Sequence, residues 1–398
     1  MTKLDTQLVH GPAVNDNCTG AVTTPIYKAT TFEYPEIGAP VTYDYSRSGN
    51  PTRQAVENQL ATLEGGQRAF TFASGMAAIH AALAILKAGD HLIVGDQIYG
   101  GTFRLLYQFF ARWGLEITAV DTRDPQAIEA AIRDNTKAIY FEPVTNPLLQ
   151  VTSVRQVAKL AKQHGLLTIV DNTFLSPYLL KPLELGADLV IHSATKYLAG
   201  HSELSAGAVI VNDPRLADRV YFVQNALGGI LSPEGANELA CGIKTLGIRL
   251  DRQIENLTGV VKFLETRPEV QRVYYPGLPG HEGYEELHQE AKGAGAVLSF
   301  ELSGAVDPVA FVNGLRLFTR AVSLGAVESL VELPSKMSHA ELTSEEQLAA
   351  GIKPGLIRLA IGIEDVTDLI EDLAQALDQA ELVTTKGSVE DDQTTAIN

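Results

Sequence analysis

Leu166-Leu167-Thr168-Ile169-Val170-Asp171 and Asp188-Leu189-Val190-Ile191-His192-Ser193 are two short runs, almost wholly apolar, each ending in a polar residue. Apolar runs without alternation fit strands covered on both faces, as in parallel sheets. A helical segment, Val154 to His164, precedes the first run and stops at Gly165. Upstream, Ala69 to Phe72, His91 to Gly95, Leu115 to Val120 and Lys137 to Glu142 read as further strands. Met76 to Lys87, Thr102 to Trp113 and Pro125 to Arg133 read as the helices between them, the last with Pro at its first position. Strand and helix alternating over roughly 150 residues predict an α/β fold, a mostly parallel sheet with helices on both faces.

Downstream the pattern becomes long-helical over Pro233 to Leu250 and Arg252 to Thr266, then breaks at Pro276-Gly277-Leu278-Pro279-Gly280. A second α/β region follows, with strands at Ala296 to Leu302 and Leu356 to Ile361 and a helix at Asp307 to Asn313. The expected organisation is an N-terminal arm over 1–50 and a large domain over 51–246. A smaller C-terminal α/β domain over 247–382 and a disordered, Thr- and Asp-rich tail over 383–398 complete it.

The 398 residues are 45% hydrophobic and 20% charged, ordinary globular values that exclude a disordered or fibrous chain. Two cysteines, Cys18 and Cys241, exclude a disulfide framework and a Cys-rich zinc site, and no metal is expected. Thirty-one basic against 48 acidic residues give a net charge of −17, which repels nucleic acid and anionic membrane. Met1 to Asp5 lacks an apolar signal core, and the apolar stretch Ala69 to Leu86 is interrupted by Thr71, Ser74 and His80. The expected address is the cytoplasm.

Ligands of parallel α/β sheets bind beyond the carboxyl ends of the strands. That rule selects Ser74-Gly75-Met76, Tyr99, Asn146, Asp171, and Ser193 with Thr195 and Lys196. Gly75 and Met76 open a helix whose N–H groups suit a phosphate, and Ser193 and Thr195 add hydroxyls. Asp171 offers a carboxylate to a cationic ring nitrogen, Tyr99 a flat ring for stacking, and Lys196 an amine able to condense with an aldehyde. Taken singly, each has a plainer reading as a solvated lysine, a turn former or a helix cap. Together, on one rim, they describe pyridoxal 5′-phosphate. No phosphate-binding G-x-x-x-x-G-K-[ST] motif, H-E-x-x-H metal motif or G-x-S-x-G nucleophile elbow competes with that reading.

Three stretches carry a resemblance: Tyr45-Ser46-Arg47-Ser48-Gly49-Asn50-Pro51-Thr52, Ser193-Ala194-Thr195-Lys196-Tyr197-Leu198-Ala199-Gly200-His201-Ser202, and Arg358-Leu359-Ala360-Ile361-Gly362-Ile363-Glu364. The chain resembles the Cys/Met-metabolism family of pyridoxal-phosphate enzymes over almost its whole length. The resemblance implies the aspartate-aminotransferase-like fold and a homotetramer built as a pair of active dimers. It implies that Lys196 carries the cofactor and Asp171 pairs with the pyridine nitrogen. Gly75, Met76, Ser193 and Thr195 hold the phosphate, and Tyr99 stacks on the ring and shares catalysis with Lys196. Tyr45 and Arg47 reach the phosphate of a neighbouring subunit. Asn146, Arg358 and the backbone near Ser323 take the substrate carboxylate.

Within that family Tyr99-Gly100-Gly101-Thr102-Phe103-Arg104 is similar to the cystathionine enzymes, whereas methionine γ-lyases commonly have Cys where Gly101 stands. Three positions depart from the pattern. Val322 stands where many γ-active members have Glu, Glu203 where Asp is usual, and Cys241 where Arg is usual. The expected activity is a carbon–sulfur lyase acting on cystathionine and related sulfur amino acids. Its β- or γ-elimination would give a thiol, a 2-oxo acid and ammonia. The alternatives are a transferase (cystathionine γ-synthase or O-acylhomoserine sulfhydrylase), a methionine γ-lyase, or a binding protein that kept the fold. Intact Lys196, Asp171, Tyr99 and Arg358 argue against the last.

Overall fold

The computed structural model describes residues 2–11 and 19–390 and divides them into two units. The first comprises residues up to Thr145, Gln150–Ile248 and Glu282–Ala294; the second comprises Asn146–Leu149, Arg249–His281 and the chain from Gly295 onward. A single cut near residue 247 overlooks the two short excursions at 146–149 and 282–294.

Seven strands form the sheet of the first unit: β1 (Arg68–Phe72), β2 (His91–Gly95), β3 (Glu116–Val120), β4 (Thr136–Phe141), β5 (Leu167–Asp171), β6 (Leu189–His192) and β7 (Gly207–Val211). Their order is β1-β7-β6-β5-β4-β2-β3. The run from β6 to β3 is parallel, and β7 is antiparallel to both its neighbours, which leaves β1 parallel to β6. The carboxyl ends of β1, β6, β5, β4 and β2 therefore share one rim. β2, β6 and β7 are buried along their whole length, as continuous apolar runs should be. Helices Gly75–Leu83, Val154–Gln163 and Pro214–Leu227 pack on β6 and β7, on β5 and on β1 respectively. Leu83, Leu189, Ile191, Val209 and Val220 belong to the buried cluster these layers enclose.

The strands of the alternation fall within a residue or two of their expected bounds. β7 and the helices Pro51–Glu64 and Pro214–Leu227 are among the elements that the sequence reading does not include. The segment expected as one helix over Thr102 to Trp113 is instead a short α-turn at Gly100–Arg104, a π-turn at Leu105–Phe109 and a 3-10 turn at Phe110–Trp113. Its bulky residues lie on every side, so no single helical stripe can bury them. Leu106 is enclosed while Trp113 stays 70% exposed.

In the second unit, β8 (Val270–Tyr274), β9 (Val297–Leu302), β10 (Thr319–Arg320), β11 (Leu330–Glu332) and β12 (Leu356–Ala360) pair in the order β10-β11-β12-β9-β8. Apart from the parallel β10–β11 pair this sheet is antiparallel. The last helix runs from Val366 to Glu390, with Leu369, Leu373, Ala376 and Leu377 buried. It enters the segment expected to be disordered, because extending an existing helix orders one residue per added hydrogen bond. Residues 391–398 lie outside the described residues, as does Cys18. Among the described residues no helix is long and apolar enough to cross a membrane, and no cluster of three metal-ligating side chains forms.

Candidate active site

β1 ends in a turn that starts the helix Gly75–Leu83, whose N-cap Ser74 accepts a hydrogen bond from Ala77 N–H at 3.1 Å. The first N–H groups of a helix have no intrahelical partner, so Gly75 and Met76 present donors at this rim. Gly75 abuts Ser193: a Cβ at position 75 would come within 2.8 Å of both Ser193 Cβ and Oγ. The two chain segments thus make a close-set cradle with backbone donors on one side and a hydroxyl on the other, suited to a phosphate.

Asp171 ends β5 and is 7% exposed. Its Oδ1 accepts from the Thr173 N–H at 3.1 Å and the Thr173 hydroxyl at 2.5 Å, and its Oδ2 accepts from the Tyr140 hydroxyl at 3.3 Å. The same Thr173 oxygen accepts from the Ser193 N–H at 2.8 Å, which ties the β5 and β6 ends together. Glu142, one residue beyond β4, accepts from the Tyr99 N–H at 2.6 Å and fixes the start of that turn. Burial raises the pKa of Asp171, and burial plus the Asp171 charge push Glu142 up to about 8. Two buried carboxyls in want of a cation fit a protonated ring nitrogen beside them. Tyr99 itself is 50% exposed, its ring free of core packing. A Cβ at Gly101 would lie 2.5 Å from the Tyr99 ring and 2.7 Å from the Met76 sulfur, so this ring position requires glycine there.

Lys196 follows on the turn after β6, its N–H donating to Ser193 O at 3.1 Å. The Thr195 hydroxyl, expected at the phosphate, donates to Ala206 O at 3.1 Å and accepts from Ala206 N–H at 2.9 Å. These two bonds pin the Lys196 turn to the start of β7.

The expected carboxylate site gathers within the second unit. Arg358 lies on β12 opposite Glu332 on β11 and pairs with its carboxylate at 2.9 Å. The guanidinium also donates to Asn146 Oδ1 at 2.8 Å and to Ser323 O at 2.6 Å. Ser323 has φ +116°, a strained conformation for a side chain with a Cβ, which aims its carbonyl at Arg358. Val322 beside it is 56% exposed and belongs to no core.

Tyr45 and Arg47 make their contacts elsewhere in the first unit. The Arg47 guanidinium stacks 5.0 Å above the Tyr45 ring and its Nε donates to Asn225 Oδ1 at 3.2 Å, near the end of the helix Pro214–Leu227. Glu203 and Cys241 are exposed, and nothing in the structure explains either departure.

Sequence reasoning missed Glu142, Tyr140, Thr173 and Glu332. The strand-end rule that selects Asp171 applies equally to Glu142. Glu332 had no such signal, because β11 is three residues long.

The sequence profile of the Cys/Met metabolism PLP-dependent enzymes matches residues 5–378. A cystathionine beta-lyase of Lactococcus lactis subsp. cremoris (strain MG1363) is 46% identical over 379 residues, 95% of this chain and all of that one. A cystathionine gamma-lyase of Bacillus subtilis (strain 168) is 46% identical over 376 residues, covering 94% and 99%. Among solved structures, cystathionine gamma-lyase from Lactobacillus plantarum complexed with L-serine superposes with a TM-score of 0.93 at 46% identity, covering 96% of this chain and 100% of that one. Cystathionine gamma synthase from Xanthomonas oryzae pv. oryzae gives 0.93 at 42% identity, covering 96% and 99%. A rim that pairs a buried aspartate with a strand-end lysine, and a match over nearly the full length of each relative, lead to one assignment: the chain belongs to the Cys/Met metabolism family of PLP-dependent enzymes.

Proposed function

We propose that this enzyme is a carbon–sulfur lyase that cleaves cystathionine and related sulfur amino acids by β- or γ-elimination, releasing a thiol, a 2-oxo acid and ammonia. The observation that carries the reading is the rim itself, where Asp171, Ser193 and Lys196 are tied by Thr173 and by the β6 turn. Pyridoxal phosphate, when bound, supplies an electron sink for the pair left at the substrate Cα. Asp171 would hold its ring nitrogen, Gly75, Met76, Ser193 and Thr195 its phosphate, Tyr99 its ring face, and Lys196 Nζ its aldehyde carbon. Freed when the substrate amine takes its place, Lys196 Nζ would take the Cα proton, and for γ-elimination would also move the Cβ proton. Tyr99 Oη or Lys196 Nζ returns a proton to the departing sulfur. Arg358, oriented by Asn146, Ser323 and Glu332, grips the substrate carboxylate.

We infer further that Tyr45 and Arg47 serve the phosphate held by a second chain, so the active unit is a dimer and the assembly a pair of dimers. The acidic, cysteine-poor chain suits the cytoplasm. The fit of Tyr99 and Met76 against Gly101 favours a cystathionine enzyme over a methionine γ-lyase. The transferase reading is supported by the 42% identity to a cystathionine gamma synthase. The test is product analysis on the purified, cofactor-loaded protein. Release of 2-oxo acid and ammonia from cystathionine alone supports the lyase. Turnover that requires O-acetylhomoserine plus sulfide replaces it with the transferase.

A further inference from the structure

The loop that carries Tyr45 and Arg47 is held from within its own chain. Arg53, on the helix Pro51–Glu64, is 2% exposed. Its guanidinium donates to the carbonyl oxygens of Ser46 at 2.7 Å and Arg47 at 3.1 Å. Its Nε lies 3.5 Å from Glu57 Oε1, which accepts from the N–H and hydroxyl of Thr71 in β1 at 2.8 and 3.1 Å. Asn50 caps the helix and donates to Ser46 Oγ at 3.0 Å. From the other side Asn225 Oδ1 accepts from Arg47 Nε and, at 3.4 Å, from the Ser48 hydroxyl.

A buried guanidinium is costly unless oxygens meet it, and an apolar residue of similar volume often serves stability as well. Here the charge is met by the Ser46 and Arg47 carbonyls and by the Glu57 carboxylate. Its product is the position of one loop, while Arg47 itself stays exposed. We propose that Arg53, seconded by Asn225, is a positioning residue that acts in trans. It fixes Tyr45 and Arg47 of its own chain for the phosphate of the cofactor bound by another copy. The inference rests on the shared-site reading above.

Loss of Arg53 would then damage the neighbour's site and spare its own. The experiment uses the assembled enzyme with Arg53→Met, Arg53→Lys and, should Arg53→Met fail to fold, Asn225→Ala. Equilibrium dialysis compares pyridoxal phosphate with pyridoxal, which lacks the group Arg47 would touch. Affinity for pyridoxal phosphate should fall about tenfold to a hundredfold in Arg53→Met, less in Arg53→Lys, with affinity for pyridoxal unchanged. Mixed oligomers of Arg53→Met and Lys196→Ala chains should regain activity, since one site then combines an intact lysine with an intact loop. Mixed Arg47→Ala and Lys196→Ala chains are the control. Equal loss for both ligands, or no recovery where the control recovers, overturns the role of Arg53. If the control also fails, the shared site falls and the proposal falls with it.

Discussion

In the proposed reading, Val322 is the side chain that sets which distal group the substrate site accepts. Its exposure removes a packing role, and it adjoins the strained Ser323 whose carbonyl orients Arg358. An apolar side chain cannot accept a hydrogen bond from a distal ammonium, so use of homocysteine and cysteine alongside cystathionine is expected. Val322→Glu should raise kcat/KM for cystathionine relative to cysteine by about tenfold to a hundredfold, one charge-assisted hydrogen bond being worth roughly 1.5–3 kcal/mol. An unchanged ratio in a thermally intact variant would refute that role. Lys196→Ala is expected to keep measurable cofactor, because Asp171 and the Gly75–Ser193 cradle do not depend on the amine, while turnover disappears. Substantial elimination activity in that variant would remove Lys196 from the chemistry. Asp171 and Lys196 were legible in the sequence because strands buried on both faces end visibly, and the end of such a strand is where chemistry sits. The engagement of the Thr195 hydroxyl by Ala206 was not legible, since it depends on where β7 starts.

At the scale of elements, β7 is as apolar as β5 or β6, yet its direction is written in no local pattern. The chain between His192 and Gly207 contains no helix to carry it across the sheet, so it returns as an antiparallel neighbour. Gly207 at its first position permits the contact that shapes the rim: a Cβ there would overlap the Ser74 carbonyl and lie 2.9 Å from Ala78 Cβ. Backbone cannot yield as a flexible side chain can. Gly207→Ala should therefore cost about 3 kcal/mol, or roughly 4 °C in Tm for a chain of this length, and should weaken cofactor binding as the Ser74 turn shifts. Calorimetry on the variant with and without pyridoxal phosphate checks both parts. The π-turn over Leu105–Phe109 was equally hidden, because six bulky residues between Leu105 and Trp113 give the helical period no preferred face.

For the molecule as a whole, the buried carboxyl pair predicts a pH response. Glu142 rises from an ordinary 4.5 to about 8 in the folded protein, so the folded form keeps a proton that the unfolded chain releases. Its contribution is fully present below the ordinary value and is lost as pH climbs through about 8. Cofactor-free protein should lose urea resistance over that interval, and Glu142→Gln, which preserves the acceptor for the Tyr99 N–H, should flatten the curve. Parallel curves for the two proteins would show that Glu142 does not titrate there. The order β1-β7-β6 also has a meaning in time. β1 leaves the ribosome early, but its partner in the sheet emerges about 130 residues later, a long loop to close. Until Gly207 appears, the turn that presents Gly75 has no strand to rest on. A nascent chain arrested short of β7 should be open to protease at Ser74 and unable to retain pyridoxal phosphate, so cofactor capture belongs to a late moment in the life of the polypeptide.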